Sequence, residues 1–207
     1  MPDEGLKVLA FNCTLKSAHG DEQSSTEVLL GQLMDELKRH GAAGDVVRAV
    51  DHNIKPGVKS DEGEGDDWPA LRRRVVNADI LVMGTPIWLG QPSSVAKRVM
   101  ERLDAFLTET DDKGRMPSYG KVAIVVVVGN EDGAHHCAAE LIQALTEVGF
   151  TCPPGSVTYW VGEAQGDKVY KDLKTTPKVI AETTAMLAAN TAHLARLLKS
   201  NPYPGMA

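Results

Sequence analysis

The 207-residue sequence predicts an α/β domain built on a parallel sheet. Short apolar runs alternate with segments of helical periodicity along the whole chain, so that each strand is followed by a helix. Val122 to Val128 is nearly continuous in β-branched residues, which suits a parallel strand covered on both faces. No Pro/Gly/Ser-rich linker splits the chain into halves that could each bury a core, so residues 1–199 are read as one domain, with 200–207 as a C-terminal tail.

Leu6 to Phe11 is the first strand. A polar stretch follows, then a helix whose Val28, Leu29, Leu33 and Leu37 recur at helical spacing, closed by Gly41 and Gly44. Val46 to Val50 supplies the second strand. Lys59 to Asp67 is a loop rich in glycine and acids, and Trp68, Leu71, Val75 and Val76 mark a short helix. Ile80 to Met83 is the third strand, and a helix opens near Pro92 to Ser94 with Val95, Val99, Leu103 and Phe106 on one face. After the fourth strand, Val122 to Val128, a helix runs from about Ala134 to Val148. Ser156 to Trp160 is the fifth strand, and a long helix from Thr176 to Leu198 ends the domain. Five such units require right-handed crossovers. Ligands of these sheets bind beyond the carboxyl ends of the strands, which selects the loops after the first, third and fourth strands.

Composition narrows the function classes. With 43% hydrophobic and 24% charged residues the chain is an ordinary globular sequence. A net charge of −6 gives no reason to expect nucleic acid or an anionic membrane as partner. No apolar run is long enough to span a bilayer and no secretory pattern opens the chain, so a cytoplasmic protein is expected. Cys13, Cys137 and Cys152 form neither a disulfide framework nor a CxxC pair.

The first loop, Asn12 to Thr26, brings Thr14, Lys16, Ser17, Ser24, Ser25 and Thr26 to a helix N-terminus, where free N–H groups and the helix dipole favour phosphate. Simple capping by Ser24 or Ser25 is the alternative. The spacing matches neither a P-loop nor GxGxxG. The second loop, Thr85-Pro-Ile-Trp-Leu-Gly-Gln-Pro92, places Trp88 where it can lie against a flat ring or pack on a neighbouring helix. The third, Gly129-Asn-Glu-Asp-Gly-Ala-His-His136, offers backbone donors for the carbonyl edge of a heterocycle, although acids before a helix are also ordinary capping. Adjacent His135 and His136 cannot both face one metal on a regular helix, and no metal is expected.

In these loops, Thr85 to Ser94 and Gly129 to Ala134 above all, the chain resembles the flavodoxin-like NAD(P)H-dependent FMN reductase family over about residues 6–198. Thr158-Tyr-Trp-Val-Gly-Glu163 resembles the nearer relatives as well. The resemblance implies a three-layer sandwich with a five-stranded parallel sheet in the order 2-1-3-4-5, and FMN as cofactor with NADPH or NADH as electron donor. It assigns Thr14, Lys16, Ser17, Ser25 and Thr26 to the phosphate, and Pro86, Ile87, Trp88, Leu89 and Gly90 to one side of the flavin. Gly129, Asn130, Glu131, Asp132, Gly133, Ala134 and His135 fall at the flavin's carbonyl edge. Many relatives open with Gly-Ser-x-Arg, whereas this chain has Asn12-Cys-Thr-Leu-Lys16, and lysine lacks the bidentate fork of arginine.

The expected activity is hydride transfer from the nicotinamide to the flavin and on to a small acceptor such as a quinone or free flavin, with no catalytic side chain required. A homodimer or homotetramer is implied. The rival is an electron carrier serving protein partners. Such carriers are acidic around the flavin, whereas the run Asp61 to Asp67 reads as a solvated helix start followed by Arg72 to Arg74. A Cys13 phosphatase would need arginine six positions on, where His19 stands.

Overall fold

The computed structural model describes residues 5–163 and 166–206. Five strands form the parallel sheet: β1 (Leu6–Asn12), β2 (Ala42–Arg48), β3 (Ile80–Trp88), β5 (Val122–Gly129) and β6 (Val157–Val161). A two-residue strand, β4 (Gln91–Pro92), folds back antiparallel on the end of β3. The sheet order β2-β1-β3-β5-β6 is the expected 2-1-3-4-5 once that short strand is set aside. The helices are α1 (Ser25–Arg39), α2 (Trp68–Asn77), α3 (Ser94–Leu103), α4 (Ala134–Glu147) and α5 (Lys178–Ser200).

Two apolar layers flank the sheet because its central strands are buried on both faces. Phe11, Met83, Val125 and Val127 pack with Trp68, Val99, Leu103 and Leu141 from α2, α3 and α4. Ala10, Val82, Ile124 and Val126 pack on the other side with Leu29, Leu33, Leu187 and Ala192 from α1 and α5. β5 reads as a continuous apolar run for this reason.

Several boundaries differ from the sequence reading. β2 begins at Ala42, four residues earlier than the pattern suggested, and Gly44 lies within it rather than closing α1. A Cβ on Gly44 would stand 1.7 Å from the carbonyl oxygen of Val8, so glycine there serves the close approach of β2 to β1. Gly41 alone has the left-handed φ, +71°, of a helix-ending glycine. β3 continues through Thr85 and Pro86 to Trp88, and so delivers the second loop directly to the rim.

The acidic run Asp61 to Asp67 leads into α2 and is mostly exposed, as a solvated helix start would be, with Asp66 as the exception. Asp66 and Arg102 form an ion pair whose side chains are both 0% exposed. The C-terminal residues to Met206 fold back on the opposite rim of their own chain: Tyr203 Oη meets Thr151 Oγ1 at 3.0 Å, and the Met206 N–H donates to the Lys113 carbonyl at 2.8 Å.

Candidate functional site

The loops after β1, β3 and β5 open on one partly open cleft at the carboxyl rim, with a cavity volume of about 150 Å³. Thr14, Lys16, Ser24, Ser25 and Thr26 line one end of it. Pro86, Ile87, Trp88, Val128, Gly129, Asn130 and Glu131 line it as well, together with Trp160, Val169 and Tyr170.

The polar end is the N-terminus of α1. Ser24 caps it, its Oγ accepting the Glu27 N–H at 3.2 Å. Among the described residues the N–H groups of Ser24, Ser25 and Thr26 have no protein acceptor. Below them Asn12 is fully buried, with Oδ1 accepting the Thr14 N–H at 3.2 Å and Nδ2 unpartnered. The Lys16 ammonium pairs with Glu22 at 3.0 Å and holds that carboxyl below its usual range. An anion at this end meets hydroxyls, free amides and one cation.

The loops are tied to each other. Ser93 Oγ caps α3 and donates to the Cys13 carbonyl at 2.6 Å, while the Ser93 N–H donates to Thr85 Oγ1 at 3.0 Å, which fixes the first loop to the second. Glu131 accepts the Leu89 N–H at 2.9 Å, which fixes the second to the third. Gly166 and residues 170–171, beyond β6, contact the third loop and α1. Asn130 Nδ2 donates to the Gly166 carbonyl at 3.1 Å, and the Lys171 N–H donates to Ser25 Oγ at 3.3 Å. Tyr170 donates to Gln32 Oε1 at 2.6 Å and packs on Trp160 with ring centroids 5.5 Å apart.

Several residues singled out from sequence stand outside the lining. The Ser17 hydroxyl bonds the Asp51 carboxylate, lowering its pKa, and accepts the His19 N–H at 3.1 Å. Leu89 and Gly90 point the chain away at positive φ, +52° and +74°. Asp132 accepts the Gly133 N–H, Ala134 opens α4, and the His135 ring stands edge-on to Tyr159 with Nε2 3.1 Å from its hydroxyl. Ser24 reappears in the lining, and Trp160, Val169 and Tyr170 were not anticipated. Trp160 ends a strand at the same rim, which is a usable signal; Val169 and Tyr170 follow a segment with no periodicity. Thr158, within the shared segment noted above, bonds Thr184 of α5 at 2.7 Å.

Cys13 is fully buried, and burial pushes its thiol far above the ordinary value, so it does not act as a thiolate. Burial likewise raises Cys137 and Cys152 to about 11. Among the described residues no group of three or more His, Cys, Asp or Glu side chains is placed to hold a metal ion.

The donor set suits a ligand anionic at one end and flat and apolar at the other. Hydroxyls, amides and Lys16 stand at one extreme, and Trp88, Ile87, Val128 and Trp160 line the rest. FMN has that form.

Residues 6–165 match the family of NADPH-dependent FMN reductases. A protein of Streptomyces davaonensis named 8-demethyl-8-aminoriboflavin-5'-phosphate synthase is 34% identical over 96% of this chain and 80% of its own. A Mycobacterium bovis protein named divalent metal cation transporter MntH is 38% identical over 95% of this chain, but the match spans only 30% of that protein's length. Among the described residues here, no helix is long and apolar enough to cross a membrane. A crystal structure of RosB with bound 8-demethyl-8-formylriboflavin-5'-phosphate superposes with a TM-score of 0.87 at 33% identity, over 96% of this chain and 82% of that one. An archaeal flavodoxin shares the fold alone, at TM-score 0.57 and 9% identity over 92% of this chain and 99% of its own. The chain belongs to the NADPH-dependent FMN reductase family, flavin oxidoreductases of flavodoxin-like fold that use FMN with NAD(P)H as reductant.

Proposed function

We propose that this protein binds FMN in the carboxyl-rim cleft, oxidises NAD(P)H there and delivers electrons to a small acceptor such as a quinone or free flavin. The observation that carries the reading is one cleft with a polar end at the α1 N-terminus and an otherwise largely apolar lining, in a chain of this family. When bound, FMN supplies the redox chemistry by accepting a hydride and passing electrons on. The protein's part is to bind, orient and exclude water. Thr14, Lys16, Ser25, Thr26 and the free N–H groups of residues 24–26 hold the phosphate. Pro86, Ile87, Trp88, Trp160 and Tyr170 supply apolar lining, and Asn130 and Glu131 lie at the third loop. No acid or base side chain is required.

Trp88 is half exposed and Leu89 is 91% exposed, beside exposed Leu15 and Val161 at neighbouring strand ends. An apolar rim of this kind suits coverage by a second copy, and supports a homodimer or homotetramer with the cleft near the interface. Light scattering is expected to give a mass of at least two chains, reduced by Leu89→Asp; a monomer at micromolar concentration rejects it.

The central test is Lys16→Met. The wild type is expected to bind FMN more tightly than riboflavin and to oxidise NADPH with quinone and no protein partner. Lys16→Met should weaken FMN about tenfold or more, the value of one charged hydrogen bond, and leave riboflavin nearly unchanged. A wild type that binds FMN but turns over NADPH only with a partner protein is an electron carrier instead.

A second reading is favoured by the Streptomyces relative and the RosB structure, whose names describe flavins altered at position 8. On that reading FMN is substrate rather than cofactor. Mass analysis of FMN recovered after incubation separates the two, since a reductase returns it unchanged.

A further inference from the structure

Ser24-Ser25-Thr26-Glu27 has the sequence of a capping box, in which the fourth residue's carboxylate turns back to accept the N–H of the first. Half of the box is present: Ser24 Oγ accepts the Glu27 N–H. The other half is not, because Glu27 instead pairs with Arg48 at 2.6 Å. Arg48 ends β2 and its side chain is only 9% exposed, whereas that of Glu27 is 49% exposed. Its second nitrogen donates to the Lys16 carbonyl at 2.7 Å. One guanidinium from the neighbouring strand therefore grips the first loop and draws an acid off the helix end. The Ser24 N–H is left without a protein acceptor, at the polar end of the cleft.

We infer that Arg48 is a positioning residue for phosphate recognition: it holds Glu27 away from the α1 N-terminus, so that the Ser24 N–H is kept for the ligand's phosphate. The inference rests on the proposed binding of FMN at this cleft. Lys16 lines the same end of the cleft as Ser24, Ser25 and Thr26, so a cation stands beside these donors. Without Arg48, Glu27 is free to complete the box. Its carboxylate would then take the donor and set a negative charge against the phosphate at the helix's positive end. Arginine suits the task because its fork serves a carboxylate and a carbonyl together. It also answers the departure in the loop itself, where lysine stands in place of arginine.

The test is a pair of titrations, FMN and riboflavin, followed by flavin fluorescence on the purified apoprotein. Arg48→Met is expected to weaken FMN about tenfold or more and riboflavin by less than about twofold. Adding Glu27→Ala to Arg48→Met is expected to recover most of the loss, because alanine can neither take the Ser24 N–H nor set a charge against the phosphate, while Glu27→Ala alone leaves FMN affinity near wild type. Should Arg48→Met not fold, Arg48→Lys reaches one partner at a time and is expected to give a smaller loss, again recovered by Glu27→Ala. Equal loss of both flavins, or no recovery in the double variant, overturns the inference. A wild type that does not prefer FMN to riboflavin overturns the binding reading beneath it instead.

Discussion

Asp66→Ala is expected to lower the unfolding free energy by about 3–5 kcal/mol, because it strands a buried guanidinium. Arg102 uses all of its donors. Its Nε and Nη2 donate to the Lys59 carbonyl at 3.0 and 2.8 Å, Nη1 donates to the Lys55 carbonyl at 2.9 Å, and Nη1 and Nη2 donate to Asp66 at 3.1 and 2.8 Å. Asp66 in turn accepts the N–H groups of Glu62 at 2.9 Å, Trp68 at 3.1 Å and Lys55 at 3.3 Å. The loop before α2 is therefore organised around two charges rather than around an apolar plug, and the Trp68 ring lies 5.7 Å from the guanidinium carbon. Replacing both partners with Leu and Met should cost less than Asp66→Ala alone, since no charge is then left unpaired. Urea denaturation measures both, and a loss below about 1 kcal/mol for Asp66→Ala contradicts the account.

The same pair sets an acid dependence. Burial alone pushes the Asp66 carboxyl up, but Arg102 and the three N–H donors outweigh it and hold the group well below the usual carboxylate range. A depressed folded value means that its contribution is complete above the unfolded value, about 3.9, and is lost as the pH falls from there through the folded one. Asp66→Asn should flatten the fall of stability in that window without changing the neutral-to-alkaline limb.

How far the sequence discloses this molecule depends on which elements carry a period. The central strands are legible because burial on both faces demands unbroken apolar runs, as in Val122 to Val128. β2 is only half legible, since its first residues, Ala42-Ala-Gly-Asp45, look like a helix end. Glycine there answers to the Val8 carbonyl, a contact the local sequence does not encode. Within the acidic run, Asp66 is illegible for a related reason. Asp66 resembles its exposed neighbours, and its buried partner Arg102 is 36 positions away. Thr14, Lys16, Ser25, Thr26 and Trp88 are legible as lining of the cleft because topology places strand ends at one rim. Tyr170 reaches the cleft through a non-periodic segment, held by Gln32 and Ser25 contacts that link positions over a hundred residues apart.

Gly133→Val is expected to reduce NADPH oxidation about 100-fold at saturating FMN while leaving the sheet folded, the scale of loss that follows from misplacing a positioned group. Gly133 does not line the cleft, so the effect must pass through the join between the second and third loops. Its φ is +123°, which L side chains adopt only with strain of about 1–3 kcal/mol. A Cβ there would stand 2.7 Å from the Gly90 Cα and 2.8 Å from its carbonyl oxygen. Both are backbone atoms, so no rotamer change relieves the clash and the loops must part. The same join carries the Leu89 N–H to Glu131 bond and a contact of 3.0 Å between His136 Nε2 and Gln91 Oε1. Parting the loops carries Trp88 away from the cleft. Gly90→Ala is the control: its φ is +74°, but nothing stands within 4 Å of the added carbon, so it should cost stability and little turnover. If Gly133→Val stays within about threefold of wild type in turnover, Trp88 is held by β3 and β4 alone, and the third loop does not position the second.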